Sequence, residues 1–292
     1  MEQEDALREI PAEDFQPLLD DLKSDFPNSI HAWSFLKSIE RWRADDPTLS
    51  VKILAINGDY RRKFIVFYTA PPNLTDLKGS IHKWSNRIDD DEIIREALKN
   101  SKHQLPWICK GLCLLSAVTE ETDRAVIPFL REIWIDEDWS FQPGHLLYWV
   151  PKEDALHWKI EAPHGTYVSF LNEAHAKEVD RIWPHRYDGS LDLISSMIRV
   201  NFGMGLFDSE TNELMAWALH WFYGAIGVLQ TKDQHKKKGY AATVVKAISR
   251  EIARRGDDVF LNIIPGNTPS INLVEKLGFK FLMNGTWIFK GF

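Results

Sequence analysis

The chain has 292 residues, 44% hydrophobic and 26% charged, a balance ordinary for a globular protein and a length that suits two domains of roughly 100–200 residues each. Its formal net charge of −7 argues against a dedicated nucleic-acid binder, a class that is usually basic. No run approaches the roughly 20 apolar residues of a membrane helix, and the acidic start MEQEDALREIPAED lacks the basic and apolar segments of a signal peptide, so the expectation is a cytoplasmic protein with no membrane partner.

In chain order, Pro11 followed by Phe15, Leu18, Leu19, Leu22 and Phe26 at three-four spacing predicts a helix over 11–26. A second helical pattern covers Ile30 to Trp42. Val51 to Ile56 and Phe64 to Tyr68 read as strands joined by the turn Asn57-Gly58-Asp59, and Pro71-Pro72 closes the block. Asp89-Asp90-Asp91-Glu92 opens a helix to Leu98, Leu112 to Ala117 is a strand, Thr119 to Ile133 a helix, and Leu146 to Val150 a strand. Cys109 and Cys113 are four apart, not the three of a Cys-x-x-Cys pair, and nothing in the sequence completes a zinc site, so they read as buried thiols in a reduced compartment and no metal is expected. The helix starts DDDE and TEET would repel a phosphate, which makes this half structural or substrate-facing. The pattern loosens in PKEDALHWKIEAPHG, placing the boundary near 151–165, between an αβ arm over 1–155 and a second domain over 165–292.

The second half opens with a strand, Tyr167 to Leu171. Asn172 N-caps the helix NEAHAKEVDRIW, the loop Pro184 to Gly189 follows, and Ser190 caps the next helix. Strands are expected at Gly203 to Phe207, Leu214 to His220 and Ala225 to Thr231. A basic turn, Lys232 to Lys238, leads to Gly239-Tyr240-Ala241, which opens a helix whose apolar face is Val244, Val245, Ala247, Ile248 and Ile252. Val259 to Ile264 is a strand, Thr268 to Leu277 a helix stopped by Gly278, and Phe279 to Met283 and Thr286 to Phe289 are strands around the hairpin signal Asn284-Gly285. The order β-α-α-β-β-β-α-β-α-β-β defines an α/β fold (α+β with a mixed sheet).

A basic, glycine-containing loop between a strand and a helix start suits a phosphate. The first helical N–H groups lack intrahelical partners, and the helix dipole places about half a positive charge there. A Lys-Lys-Lys run on its own is equally a solvated surface or an import tag, and nucleic-acid binding through Lys232 to Arg255 is a further reading, opposed by the overall acidity.

The element order, with this turn between its fourth strand and third helix, resembles the GNAT superfamily of CoA-dependent N-acyltransferases. The family's pyrophosphate turn, Arg/Gln-x-x-Gly-x-Gly/Ala, is met here by Lys236-Lys237-Lys238-Gly239-Tyr240-Ala241, with Lys at the first position as a departure that keeps the charge. Asn267-Thr268-Pro269-Ser270 and Glu275-Lys276-Leu277-Gly278-Phe279 resemble the family's Asn-x-x-Ala/Ser…Glu-Lys-Leu-Gly-Phe segment. Within the superfamily the helix NEAHAKEVDRIW, the Ser190 helix, Gly205-Leu206-Phe207, Trp217 and the start LLDDLKSDFPNS look like the glycine N-acyltransferase branch, whose N-terminal arm is a degenerate GNAT-like half.

The resemblance implies acyl-CoA or acetyl-CoA as co-substrate and a small amine, such as glycine or another amino acid, as acceptor. It implies that N–H groups from Lys237 to Ala241 cradle the pyrophosphate, with Lys236, Lys237 and Lys238 screening it and Thr243 adding a hydroxyl. Leu229 and Thr231 would lie on the strand that pairs through its backbone with pantetheine. Asn267 and Ser270 would touch CoA, although Asn267 reads equally as a helix cap. The branch's expected base falls at Ala225 and the superfamily's proton-donating Tyr at Val274, so both roles are vacant. His220, Tyr223 and His235 are the nearby substitutes, with His220 equally a strand-end histidine, and water is a further one. His185, Arg186 and Tyr187 lie in the loop where the family meets its acceptor, Arg186 being suited to a carboxylate. The vacant positions keep open a CoA-binding or interaction protein without catalysis. The resemblance also admits a mitochondrial location, for which no transit peptide is evident.

Overall fold

The computed structural model describes residues 5–45, 47–70, 76–84, 89–101, 112–133 and 139–290. The chain divides into two units, one formed by Met1–Leu146 with Met283–Phe292, the other by Leu147–Leu282. The elements in order are β1 (Leu7–Glu9), α1 (Phe15–Ser24), α2 (Ile30–Asp45), β2 (Ser50–Ile56), β3 (Phe64–Ala70), β4 (Asp76–Lys83), α3 (Asp89–Asn100), β5 (Leu112–Thr119), α4 (Glu120–Ile133) and β6 (Trp139–Val150). They continue with α5 (Lys152–Leu156), β7 (Thr166–Phe170), α6 (Ala176–Ile182), α7 (Ser190–Val200), β8 (Phe202–Asp208), β9 (Leu214–His220), β10 (Ile226–Thr231), α8 (Tyr240–Arg254), β11 (Val259–Ile263), α9 (Thr268–Lys276) and β12 (Lys280–Lys290). Setting α5 aside, β1 to β6 and β7 to β12 run through the same succession, β-α-α-β-β-β-α-β-α-β, which no sequence repeat reveals.

In the first unit the strand order is β1-β2-β3-β4-β5-β12. β3 is central and buried on both faces, as expected of a strand with helices on either side. Its alternation sorts the packing. Phe64, Val66 and Tyr68 join one apolar cluster with Ile94 and Leu98 of α3 and Val126 and Leu130 of α4. Phe67 points the other way and meets the Phe35 ring of α2 edge-on at 5.2 Å. β4 reads poorly as a strand in the sequence because most of its buried side chains are polar, Ile81 being the apolar exception. Ser80, His82 and Lys83 are all below 5% exposed, and Ser80 Oγ donates to Ser116 O of β5 at 2.9 Å. β1 and α5 are equally absent from the sequence expectation, being only a few residues long.

In the second unit the order is β6-β11-β10-β9-β8-β7, with β9 buried throughout. α8 packs the expected face: Val244, Val245 and Ile248 are wholly buried, and each such side chain contributes roughly 1.5–3 kcal/mol on leaving water.

Several expectations need correction. Asn284-Gly285 is not a hairpin, since β12 runs unbroken from Lys280 to Lys290 and Gly285 pairs with Thr119 in an antiparallel ladder to β5. Neither residue takes the positive φ that the two-residue turn requires. Residues 283–292, read from the sequence with the second half, group with the first unit. The helix expected over 11–26 begins as a 3-10 turn at Ala12–Asp14. Ser190 is the first helical residue and not the cap; Gly189, at φ +99, takes that place, and the Ser190 hydroxyl donates instead to Asp180. Asn172 does cap, accepting from Ala174 N at 3.1 Å. Pro71-Pro72 and Cys109 lie outside the described residues, and Cys113 falls in β5. Among the described residues no helix is long and apolar enough to cross a membrane, and no three His, Cys, Asp or Glu side chains group as metal ligands.

Candidate functional site

The site is built where β10 parts from β11. The two strands are parallel, as a strand–helix–strand crossover requires, but they share a single registered pair, Ile226 with Leu261. On its other edge β10 stays paired to β9, through a bulge between Gly227 and Gln230 where Val228 takes φ +52, an uncommon value for a β-branched residue. Gly227 leaves room there: a Cβ would meet the Trp221 side chain at 3.0 Å. Trp221 in turn lies edge-on to Trp183 at the end of α6, with ring centroids 5.6 Å apart. Past the bulge, residues 227–231 are half-buried, with one backbone edge held by β9 and the other facing the opening.

The chain then enters the turn to α8. Lys237 takes φ +61 and Gly239 φ +82, two left-handed residues that bend the backbone so that successive N–H groups point one way. Ala242 N and Thr243 N bond back to Gly239 O, whereas the N–H groups of Lys238, Gly239, Tyr240 and Ala241 donate to no backbone or side-chain acceptor among the described residues. No side chain caps α8, and the space around Gly239 is open. Lys236 pairs with Asp233 at 2.6 Å, while Lys238 stands over the Tyr240 ring at 5.9 Å. Four unsatisfied donors at a helix start, flanked by exposed lysines, form a cradle for an anion with several oxygens.

Beside this turn lies a cleft of about 410 Å³. Arg181, Ile182 and Pro184 form one wall, and Gln230, Thr231, Lys232 and Lys236 the other. An ion network stiffens it: Lys232 Nζ reaches Glu178 at 2.9 Å and Glu213 at 3.1 Å, and His235 Nε2 lies 3.3 Å from the second oxygen of Glu213. Hydrogen bonds from Arg181 and Lys232 hold the Glu178 carboxyl below its ordinary range, and Lys232 does the same for Glu213. Sequence reading missed Arg181, Gln230 and Lys232. The last two follow directly from the predicted strand end, but nothing in the sequence marks Arg181.

The other expected residues fall as follows. Leu229 and Thr231 lie on β10 beyond the bulge, and Thr243 is buried in the first turn of α8. Asn267 caps α9, its side chain accepting from Ser270 N at 3.3 Å. His220 is buried, stacked on Phe202 at 4.9 Å, and its Nε2 donates to Gly224 O at 3.0 Å, which fixes the tight turn into β10. Tyr223 is buried, and burial drives its phenol far above the ordinary tyrosine range. Ala225 and Val274 are buried apolar residues. His185 and Arg186 are exposed and Tyr187 half-buried; none of the three lines the cleft, and Arg186 faces Asp180 at 3.9 Å.

A tandem succession of β-α-α-β-β-β-α-β-α-β, with a parted parallel pair and an N–H-rich turn in its second copy, is the fold of the GNAT acetyltransferases. Residues 203–288 match the family described as FR47-like protein. Among solved structures, a Drosophila protein superposes with a TM-score of 0.82 at 21% identity, covering 99% of each chain. A tandem GNAT protein from the clavulanic acid biosynthesis pathway gives 0.51 at 12% identity, covering 97% of this chain and 98% of its own. A putative acetyltransferase from Pyrococcus horikoshii gives 0.52 at 12%, covering 98% and 89%. No curated protein matches the chain.

Proposed function

We propose that residues 147–282 bind an acyl-CoA and pass its acyl group to the amine of a small acceptor. The observation that carries this reading is the pairing of two features on one strand. β10 leaves β11 after a single pair, and the same strand ends in a turn with four unsatisfied N–H donors. An extended amide-bearing arm fits the first, and a diphosphate fits the second. Leu229, Thr231, the turn Lys236 to Ala241, Thr243, Asn267 and Ser270 are the proposed contacts. The proposed acceptor is a small amine that carries a carboxylate, as glycine does, with Arg186 of the loop His185-Arg186-Tyr187 as its proposed partner. Arg181 and Lys232 of the cleft are already paired with Glu178 and Glu213. The proposed compartment is the cytoplasm.

The chemistry asks little of the protein beyond positioning. The acceptor nitrogen attacks the thioester carbonyl, a C–N bond forms as the C–S bond breaks, one proton leaves the nitrogen and one reaches the sulfur. With Nε2 protonated toward Gly224 O, the basic nitrogen of His220 is Nδ1, and His220 is the proposed base. Tyr223 stays a neutral phenol, which suits it to hydrogen bonding.

A second reading, a CoA-binding protein without turnover, is favoured by one observation: Ala225 and Val274 are buried and apolar where the family would place acid–base groups. Thermal-shift titration with CoA and acetyl-CoA, followed by thiol release with a panel of amines, separates the two. Stabilisation with release on one or more amines supports transfer. Stabilisation with release on none supports binding alone. No stabilisation by any CoA species rejects both.

A further inference from the structure

The turn before α8 makes few bonds of its own. Lys237 and Lys238, at its bend, form no backbone hydrogen bond among the described residues, and their side chains are exposed. The residues leading into the bend are instead gathered on one carboxylate. Glu213, just ahead of β9, accepts from Lys232 Nζ at 3.1 Å and from Gln234 Nε2 at 3.2 Å on one oxygen, and from His235 Nε2 at 3.3 Å on the other. The Lys232 and His235 side chains are only 13% and 14% exposed, so their contacts are largely shielded from solvent. The His235 ring in turn stacks on Tyr240, the first residue of α8, at 6.0 Å and 29°. One line of contact therefore runs from Glu213 through His235 to Tyr240 and joins the two ends of the bend. Glu213 itself has a firm footing in the β8–β9 turn. Asp208 Oδ1 accepts from Glu210 N, Thr211 N and Thr211 Oγ1, Thr211 Oγ1 accepts from Glu213 N, and Asp208 N donates to Glu213 O.

We propose that Glu213 is a positioning residue for the turn: it clamps Lys232, Gln234 and His235 to the β8–β9 turn and so sets the N–H groups of Lys238 to Ala241 in the arrangement that receives a diphosphate. The inference rests on the acyl-CoA reading above and goes further, because it assigns the readiness of the site to a residue outside the turn. The sign of the effect separates this role from proximity. A carboxylate near an anion repels it, so by charge alone the removal of Glu213 tightens CoA. A clamp acts the other way: once it is cut, the bend must be ordered on binding, and affinity falls.

The test is calorimetric titration of CoA into the full-length wild type, Glu213→Ala and Glu213→Gln, the last of which keeps the shape and one acceptor oxygen. The expected result is a loss of about tenfold in Glu213→Ala and about threefold in Glu213→Gln. Affinity unchanged or raised in either variant overturns the proposal, since it leaves Glu213 as a neighbouring charge or a purely structural contact. A second readout is the amide signal of Gly239 in the unliganded chain labelled with 15N-glycine. In Glu213→Ala it should move while that of Gly278, just past α9, stays in place, which also shows that the variant folds. A Gly239 signal at its wild-type position overturns the proposal as well. If the wild type binds no CoA, the acyl-CoA reading fails instead, and the Gly239 signal still decides whether Glu213 shapes the turn.

Discussion

The two units repeat one succession of elements and treat the same place in opposite ways. In the first, β4 and β5 keep four registered parallel pairs, from Asp76 with Leu112 to Gly79 with Leu115, and β3 and β4 pair without a bulge. In the second, β10 and β11 keep one pair, and a bulge distorts β10. The helix starts differ likewise. α3 supplies its own anion: the buried carboxylate of Asp91, in its first turn, takes the Lys83 ammonium and the Arg124 guanidinium. Burial pushes Asp91 up, and hydrogen bonds from Lys83 and Arg124 outweigh it and hold the carboxyl below its ordinary range. α8 opens on Gly239 with its donors unmet. A shared backbone plan therefore does not fix a binding site. Closing the strand pair and filling the helix start internally yields a structural half, and leaving both open yields a half suited to a ligand.

Breaking the internal anion should produce the largest effect. Asp91→Ala strands a Lys83 side chain that is 0% exposed, so unfolding of the first unit should become easier by about 3–5 kcal/mol. Denaturant unfolding followed by hydrogen exchange checks this, and a loss under about 1 kcal/mol would mean that the pair is dispensable.

Acid should next separate the halves. Burial pushes His31 down to about 3 and His82 down to about 4, and His31 shares a hydrogen bond with Ser116 at 3.1 Å. Below the ordinary histidine value of 6.5 the unfolded chain takes up protons that these folded rings refuse, so stability is lost as pH falls from there toward 4. Asp123, raised by burial to about 6, and Asp25, also raised by burial, oppose this by holding protons that the unfolded chain releases, while Asp91, held low despite its burial by Lys83 and Arg124, adds to the loss. The first unit should lose on the order of 3 kcal/mol between pH 6.5 and 4. Flat stability across that range would contradict the burial of the two histidines.

On the open side, replacing Lys236, Lys237 and Lys238 together by Ala should weaken CoA binding by about tenfold, at roughly 0.5 kcal/mol per exposed cation, and flatten its salt dependence. Full affinity in the triple variant would leave the backbone as the whole site. The smallest effect should come from Asn267→Ala, which removes the α9 cap and costs about 1 kcal/mol of stability. A loss of CoA affinity with stability unchanged would reverse that assignment.

The second unit was largely legible because its signals are local. The apolar spacing of Val244, Val245, Ile248 and Ile252 marks α8, and the lysines before Gly239 mark the turn. What was not legible depends on distant residues. β4 hid because Ser80, His82 and Lys83 are polar and buried, with the partners of Ser80 and Lys83 lying on β5 and α3. β12 looked like a hairpin because Asn284-Gly285 is the strongest short-range turn signal, yet pairing to β5 overrides it. Arg181 belongs to the cleft only through the fold, which no spacing along the chain encodes.

The central claim is that one unit binds CoA and the other does not. Calorimetric titration of CoA into the wild type and Gly239→Glu tests it directly. The new side chain has open space around it and sets a carboxylate beside the four N–H donors. The left-handed φ of +82 there costs about 1–2 kcal/mol, a strain that a Gly239→Ala control shares, so the fold should survive and the anion site should not. The expected result is one CoA per chain in the wild type and at least about a hundredfold loss of affinity in the variant, as like charges meet at the phosphate position. Two CoA per chain, or undiminished affinity in a folded Gly239→Glu, would contradict it.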